Sequence, residues 1–498
     1  MSLSDVDPAQ SLDRVTVAEL RAGLEACTVT SRAIVQAHLD RIAQLDPVFH
    51  AVRCVSPTAL DEADASDRHR REHGPRSPIE GIPVLVKDNV DVAGLPTTGG
   101  ALVLEHARPA VDAPLVAQLR EAGAILLGKT NLSELANFLT ENMPSGYSSL
   151  GGQVLNPYDT SITPSGSSSG SGTAAALGLA PLTVGTETDG SITSPSQSQS
   201  LVGLKPTLGL VSRTGVLPIA ESQDTPGPMT RTVADAAALL AVIAGPDPAD
   251  PATVEAHETA QRLRQLTFDA GALAGVRVAV VRTPPSEDEA EADQKPDEHR
   301  VACHDQALTS LGAAGAVLVD VTVPKLERDD ELHVLHFEFA EGMDRYLAAL
   351  GDGAPVASMA QMQAWNLAHA DEALKFGQVH IDKALAIDHE AGRADYREAR
   401  ERDLKATTDL LTDALGDAEI LVFPGIDGAT FAARAGWPSI VLPAGYTANS
   451  RRPVGILFVG RRWSDDRLLQ LAYAFEQAHP VRRPPAAINP AVFRGLAH

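Results

Sequence analysis

Apolar and polar positions follow two periods along this chain. Residues 15–46 carry a helical pattern. Within them Thr30 or Ser31 can cap a second helix in which Val35, Leu39 and Ile42 recur at i, i+4 and i+7, and Pro47 is expected to end it. Residues 57–79 are polar and charged and predict a helix followed by a loop. Gly81-Ile-Pro-Val-Leu-Val-Lys87 reads as a short buried strand that delivers a lysine to its end. Residues 111–122 predict a helix and Ala124–Leu127 a strand; the alternation continues through Gly203–Val216 and a helix over Val233–Ile243. Further on, Val276–Val281 and Val317–Val323 read as strands around a helix, and residues 328–410 as mostly helical. Ile420–Phe423 and Ile440–Leu442 are short strands, and Asp465–Gln477 is an amphipathic helix. This succession predicts an α/β layered domain rather than separate modules. Residues 284–300, PPSEDEAEADQKPDEHR, predict an exposed acidic loop.

One stretch breaks the pattern. Residues 163–196 open on a Ser/Gly cluster, Ser165–Gly172, continue through an Ala/Leu-rich segment and reach a second turn, Gly185-Thr-Glu-Thr-Asp-Gly-Ser191. A run so rich in Ser and Gly is expected to lie outside the core. Glycine lets a backbone approach a ligand closely, and serine supplies hydroxyls that donate and accept. Two such loops around a short buried segment can bring two serines together. A flexible linker is the competing reading of any Gly/Ser run. Linkers, however, are seldom followed at once by an apolar segment and a second glycine turn.

Composition narrows the classes. Apolar content of 44% and charged content of 21% over 498 residues describe an ordinary globular protein with a large core. A net charge of −24 argues against nucleic acid or an anionic membrane as the main partner. Cys27, Cys54 and Cys303 lie far apart, with no metal-ligand or redox spacing. No apolar h-region opens the sequence and no run approaches a spanning helix, so the expected location is cytoplasmic. No metal cluster or cofactor fingerprint is visible, and no cofactor is expected.

Two motif matches fail on context. Gly123-Ala-Ile-Leu-Leu-Gly128-Lys129-Thr130 fits a P-loop, but its middle residues look like a strand and a helix precedes it. Gly166-Ser-Ser168-Ser-Gly170 fits a nucleophile elbow, but Pro157 and Pro164 interrupt any strand before it, and none of the 15 histidines sits in an informative motif.

The chemistry concentrates in Gly81–Asn89, Ser165–Gly170 and Gly185–Ser191. These segments stand in order with GKTNLSELANF, LVGLKPTLGLVSRTGVLPIAESQDTPGPMTRTVADAA and the weaker PVGILFVGRRWSDDRLLQLAYAFEQ. Together they make the chain resemble the amidase signature family over almost its whole length. The resemblance implies one α/β domain over residues 1–498, a central mixed β-sheet covered by helices on both faces. Its core signature would occupy residues 75–245, and a substrate-side helical region residues 328–410.

The resemblance also implies a triad: Lys87, Ser167 with an unusual cis peptide bond, and the nucleophile Ser191. The family interval of 24 residues separates the two serines. Ser168 would be supportive, and the backbone amides of Thr188, Asp189, Gly190 and Ser191 would hold an oxyanion. Lysine acts as a base only when neutral, which burial can bring about by lowering its pKa several units. Ile82, Val84, Leu85 and Val86 predict an apolar setting for Lys87, and on a strand Asp88 points to the opposite face. Many family members have Gly at position 189. Asp tolerates left-handed backbone better than most residues, so the turn is expected to survive.

The GTETDGS form, with SGYSSLGGQVLNPY, ESQDTPGPM, HFEFAEGMDRYL and EALKFGQ, looks most like the peptide amidases, which convert the C-terminal amide of a peptide to the free acid and ammonia. The expected partner is therefore a small-molecule or peptide amide. Three alternatives stay open: a broad acylamide or arylamide hydrolase of the same family, the glutaminase component of a tRNA-dependent amidotransferase, and a catalytically silent binding protein. Retention of Lys87, Ser167 and Ser191 argues against the last.

Overall fold

In the computed structural model, which describes residues 12–282, 297–448 and 451–494, eleven strands join into one sheet. In chain order the strands are β1 (Val52–Val55), β2 (Pro83–Lys87), β3 (Ile125–Thr130), the small hairpin β4 (Tyr147–Ser148) and β5 (Gly152–Gln153), β6 (Leu182–Glu187), β7 (Val202–Lys205), β8 (Thr225–Thr230), β9 (Arg277–Val281), β10 (Val317–Val321), β11 (Ile420–Pro424), β12 (Ser439–Tyr446) and β13 (Pro453–Gly460). The spatial order is β1-β3-β2-β6-β8-β7-β12-β13-β11-β9-β10. Parallel pairs (β3–β2, β2–β6, β11–β9, β9–β10) mix with antiparallel ones, so the sheet is mixed, as the family resemblance implies.

Strand periodicity sorts the side chains into two cores. Val84, Val86, Leu126, Val184, Val278, Val422 and Phe458 face one side, against helices Val17–Glu25, Val233–Ile243 and Asp465–Ala478. Their odd-numbered neighbours face the other side. There Leu85, Ile125 and Leu127 meet helices Ser31–Phe49 and Ala59–His73, while Leu421, Phe423 and Val459 meet Arg393–Leu415. Because successive strand residues point to opposite faces, a sheet covered on both sides needs apolar residues of both parities. A third cluster joins helix Asp329–Leu350 and its neighbours to Leu135, Phe138 and Leu217, and brings the helical region at 328–410 onto the sheet domain.

Several expectations need correction. Thr30 is the cap, accepting from the Ala33 amide, but Pro47 does not end its helix, which runs on to Phe49. Proline costs little in a last turn, where only one upstream carbonyl loses its donor. Of the predicted acidic loop, residues 284–296 lie outside the described residues, and Glu298–Arg300 open the helix Glu298–Ala313. The P-loop match, by contrast, is strand β3, as its middle residues suggest. The Ser/Gly cluster is not outside the core: helix Ser169–Leu177 is buried along its whole length. Small side chains let it press against neighbouring backbone, and its hydroxyls find acceptors there. Ser171 Oγ donates to the Val184 carbonyl (3.1 Å), and Thr173 Oγ1 to Gln199 Oε1 (2.8 Å). Buried hydroxyls are tolerated when so paired.

This packing predicts a contrast between two glycines. A methyl group at Gly170 would be driven into the backbone carbonyl oxygens of Asn131 and Ala51, whereas at Gly312 it would meet open space. Gly170→Ala should lower unfolding stability by about 2 kcal/mol or more. Gly312→Ala, in a helix, should be neutral or stabilising by about 0.5–1 kcal/mol. Urea unfolding of the two variants beside the parent checks both; equal midpoints would contradict the packing described.

Candidate active site

Strand β2 runs parallel to β6, with Val86 opposite Val184, and this register carries Lys87 to the start of the second glycine turn. Lys87 is fully buried. Its Nζ lies 2.8 Å from Ser167 Oγ, 2.9 Å from Thr186 Oγ1 and 3.3 Å from the Thr186 carbonyl oxygen. Burial pushes its ammonium down to about 7, against the pull of the Asp224 and Glu187 carboxylates. Asp88 points away, as strand alternation predicts. It pairs with Lys129 across 3.1 Å on the other side of the strand, where both side chains are wholly buried.

Ser167 and Ser168 immediately precede the buried helix Ser169–Leu177. The Gly166–Ser167 peptide bond is cis. Ser168 Oγ donates to the Thr186 carbonyl (3.0 Å) and accepts from the Thr186 amide (3.2 Å), tying the cluster to β6. Asn89 Nδ2 also donates to Thr186 Oγ1, at 3.0 Å. Thr186 is thus the hub of the cluster.

After β6 the chain turns through Thr188–Ser191. Glu187 holds this turn from inside, its Oε2 accepting from the amides of Ile192 (2.7 Å) and Thr193 (2.9 Å). Asp224 holds it from one side by accepting from Thr188 Oγ1. The amides of Thr188, Asp189, Gly190 and Ser191 find no acceptor among the described residues. The left-handed position belongs to Gly190, with φ of 75°, and not to Asp189 as the sequence suggests. Aspartate is accommodated because its residue keeps an ordinary φ, while its carboxylate is bound by Arg328 and Thr430.

The three predicted triad residues therefore converge, with one bond unmade. Lys87 and Ser167 are hydrogen-bonded. Ser191, 8% exposed, is joined to the cluster through its backbone, its carbonyl accepting from the Ser168 amide at 3.2 Å. Among the described residues no hydrogen bond links its hydroxyl to Ser167. The sequence reading missed Thr186, Asn89, Glu187 and Asp224 as members of the site. Thr186 and Glu187 lie inside the Gly185–Ser191 segment and Asp224 inside ESQDTPGPM, so proximity in those motifs is the signal that could have found them.

Among the described residues no group of three or more His, Cys, Asp or Glu is arranged to hold a metal ion, and no helix is long and apolar enough to cross a membrane. What the arrangement offers chemically is two serine hydroxyls, a buried amine near neutrality and a row of free amides.

Known proteins show the same arrangement of sequence and fold. The Amidase family model matches residues 33–469. A structure of native peptide amidase from Stenotrophomonas maltophilia is similar at 41% identity, with 95% of this chain and 98% of that one covered and a TM-score of 0.87. A probable amidase of Arabidopsis thaliana is 36% identical, over 96% of this chain and 92% of its own length. A glutamyl-tRNA(Gln) amidotransferase component of Salinispora arenicola is 33% identical, over 95% and 99%. With a family match across most of its length and relatives of this identity, the chain that folds a buried lysine onto a serine cluster belongs to the amidase signature family of amide-hydrolysing enzymes.

Proposed function

We propose that this enzyme hydrolyses a carboxamide to the free acid and ammonia through an acyl-enzyme on Ser191, with Ser167 and Lys87 as a proton relay, and that its substrate is the C-terminal amide of a peptide. The observation that carries the reading is the setting of Lys87. A neutral amine has two hydrogens and one lone pair. Thr186 Oγ1 and the Thr186 carbonyl can accept the two hydrogens, which leaves the lone pair aimed at Ser167 Oγ, 2.8 Å away. A protonated lysine would have no acceptor site to offer.

The chemistry then follows. Ser191 Oγ attacks the amide carbon as its proton passes to Ser167, whose own proton moves to Lys87. The contact between Ser191 and Ser167 has to close for this step, and catalytic hydrogen bonds often tighten only with substrate in place. The free amides of Thr188–Ser191 suit the developing oxyanion, each donor contributing roughly 3–4 kcal/mol. Collapse of the tetrahedral intermediate breaks the C–N bond; the proton returns from Lys87 through Ser167 to the leaving nitrogen, and ammonia departs. Water activated by the same relay then cleaves the ester.

The peptide-amide assignment is supported by 41% identity to the Stenotrophomonas peptide amidase and by the same identity to a peptide amidase, PAM, solved in complex with the competitive inhibitor chymostatin. The 33% identity to the Salinispora amidotransferase component supports glutamine as a second reading.

Ser191→Ala should lower turnover at least about a thousandfold while circular dichroism is unchanged; near-normal rates in the purified variant would remove Ser191 from the mechanism. Because Lys87 must be neutral to act as a base, kcat/KM should fall as pH drops through about 7. At pH 6 it should stand at about a tenth of its alkaline plateau. A profile flat down to pH 5 would exclude a lysine base. Substrate class is tested by ammonia release from a peptide amide, its free-acid counterpart, glutamine, asparagine and benzamide. Release from the peptide amide alone is expected. Release mainly from benzamide would indicate a broad amidase. Release from glutamine that depends on added protein components would indicate an amidotransferase.

A further inference from the structure

Asp189 lies two residues before Ser191, in the row of free amides, and its carboxylate is held from two remote parts of the chain. Arg328, just before helix Asp329–Leu350, donates to Asp189 Oδ2 at 2.7 Å. Thr430 Oγ1 donates to the same carboxylate at 2.9 and 3.2 Å. Arg328 is itself fixed by Glu331, whose Oε2 accepts from Nε at 2.8 Å. Glu331 is fully buried, and its other oxygen takes Gln223 Nε2 at 3.3 Å. Gln223 Nε2 also donates to the Thr188 carbonyl, at 3.1 Å. The contacts therefore close a ring: Asp189, Arg328, Glu331, Gln223, Thr188 and back along the backbone to Asp189. The two residues that open the turn are gripped by their side chains and by one carbonyl, while every contact leaves the amides from Thr188 to Ser191 free.

We infer that Arg328 is a positioning residue of this enzyme, fixing the Thr188–Ser191 turn through Asp189 so that its amides converge on one point. The inference rests on the reading of Ser191 as nucleophile and of these amides as the oxyanion donors. An ion pair on open surface contributes little and could sit anywhere. Arg328 itself is half exposed, but the carboxylates it joins are not on open surface, with side-chain exposures of 16% for Asp189 and 0% for Glu331. Asp189 carries its side chain in the turn itself. A side chain at that place can be gripped from the helical region in a way that a glycine cannot. Donors aimed at developing charge act through fixed placement, so a looser turn should cost turnover more than binding.

The test measures kcat and KM on a peptide amide for Arg328→Met, Arg328→Lys, Thr430→Val and Asp189→Asn, and for Arg328→Met in the Asp189→Asn background. Thermal unfolding serves as the check on folding, and Ser191→Ala as the check on chemistry. Arg328→Met should lower kcat tenfold or more with KM changed less than threefold. Arg328→Lys, which keeps the charge but offers one ammonium where two carboxylates are bridged, should recover part of the loss. Thr430→Val should show a smaller loss of the same kind. In the Asp189→Asn background Arg328→Met should cost less than a further twofold, because the two act through one contact. Wild-type kcat in a folded Arg328→Met enzyme would overturn the inference. So would a loss expressed wholly in KM, or the same full loss in the Asp189→Asn background. If any of these occurs while Ser191→Ala is inactive, the positioning role fails and the nucleophile stands. If Ser191→Ala keeps the parent rate, the underlying reading fails with it.

Discussion

Everything at the centre of this molecule depends on removing an amine from water. Lysine is charged by default, and an isolated ammonium is costly to bury. The fold resolves the conflict by lowering the affinity of Lys87 for its proton and by giving the neutral form a complete set of partners, Thr186 and Ser167. The sheet makes this possible. Lys87 sits at the end of a strand whose whole length is buried, and alternation sends the carboxylate next to it in sequence, Asp88, to the opposite face. There it meets Lys129 and forms an ion pair. Two lysines on adjacent strands thus lie in opposite electrostatic situations, one beside hydroxyls and carbonyls, the other against a carboxylate.

The Ser/Gly cluster answers the same constraint from the other side. A polar relay can be buried only if every hydroxyl finds a partner and if the backbones carrying it come close enough to offer one. Ser168, Ser171 and Thr173 each bond to carbonyls or side chains of neighbouring segments, and glycines between them remove the bulk that would hold those segments apart. The result is a polar core that packs like an apolar one.

Much of this was legible in the sequence, and the exceptions have physical causes. The helix Val233–Ile243 and the strand ending at Lys87 follow directly from apolar periodicity. Strand β8 does not, since Pro226 and Pro228 argue against a central strand. It is tolerated because β7 pairs only with Met229 and Thr230, so on that side no ladder is broken opposite the prolines, while β6 pairs with the strand along its whole length, both prolines included. The Ser/Gly run misled because composition reports polarity, whereas burial depends on whether partners exist. The segments bearing Lys87, Ser167 and Ser191 were readable because each is local and punctuated by glycine. Arg328 was not: its bond to Asp189 spans 139 positions in the chain, and an arginine before a charged helix looks like solvated surface. Contacts of that range leave no trace in a period or a motif.

The strand order has a consequence for how the molecule comes into being. The edges of the sheet are β1 and β10, while β12 and β13, residues 439–460, sit between β7 and β11. A chain emerging in order from the ribosome lays down every residue of the serine cluster long before the strands that join the two halves of its sheet. Pairings so remote in sequence are slow to form and leave strand edges exposed while they wait. During synthesis the first half must therefore persist with β7 uncovered, and the sheet becomes continuous only when nearly all of the chain is present. A fragment ending before residue 439 would keep Lys87, Ser167 and Ser191 without the strands that cover the open side of β7.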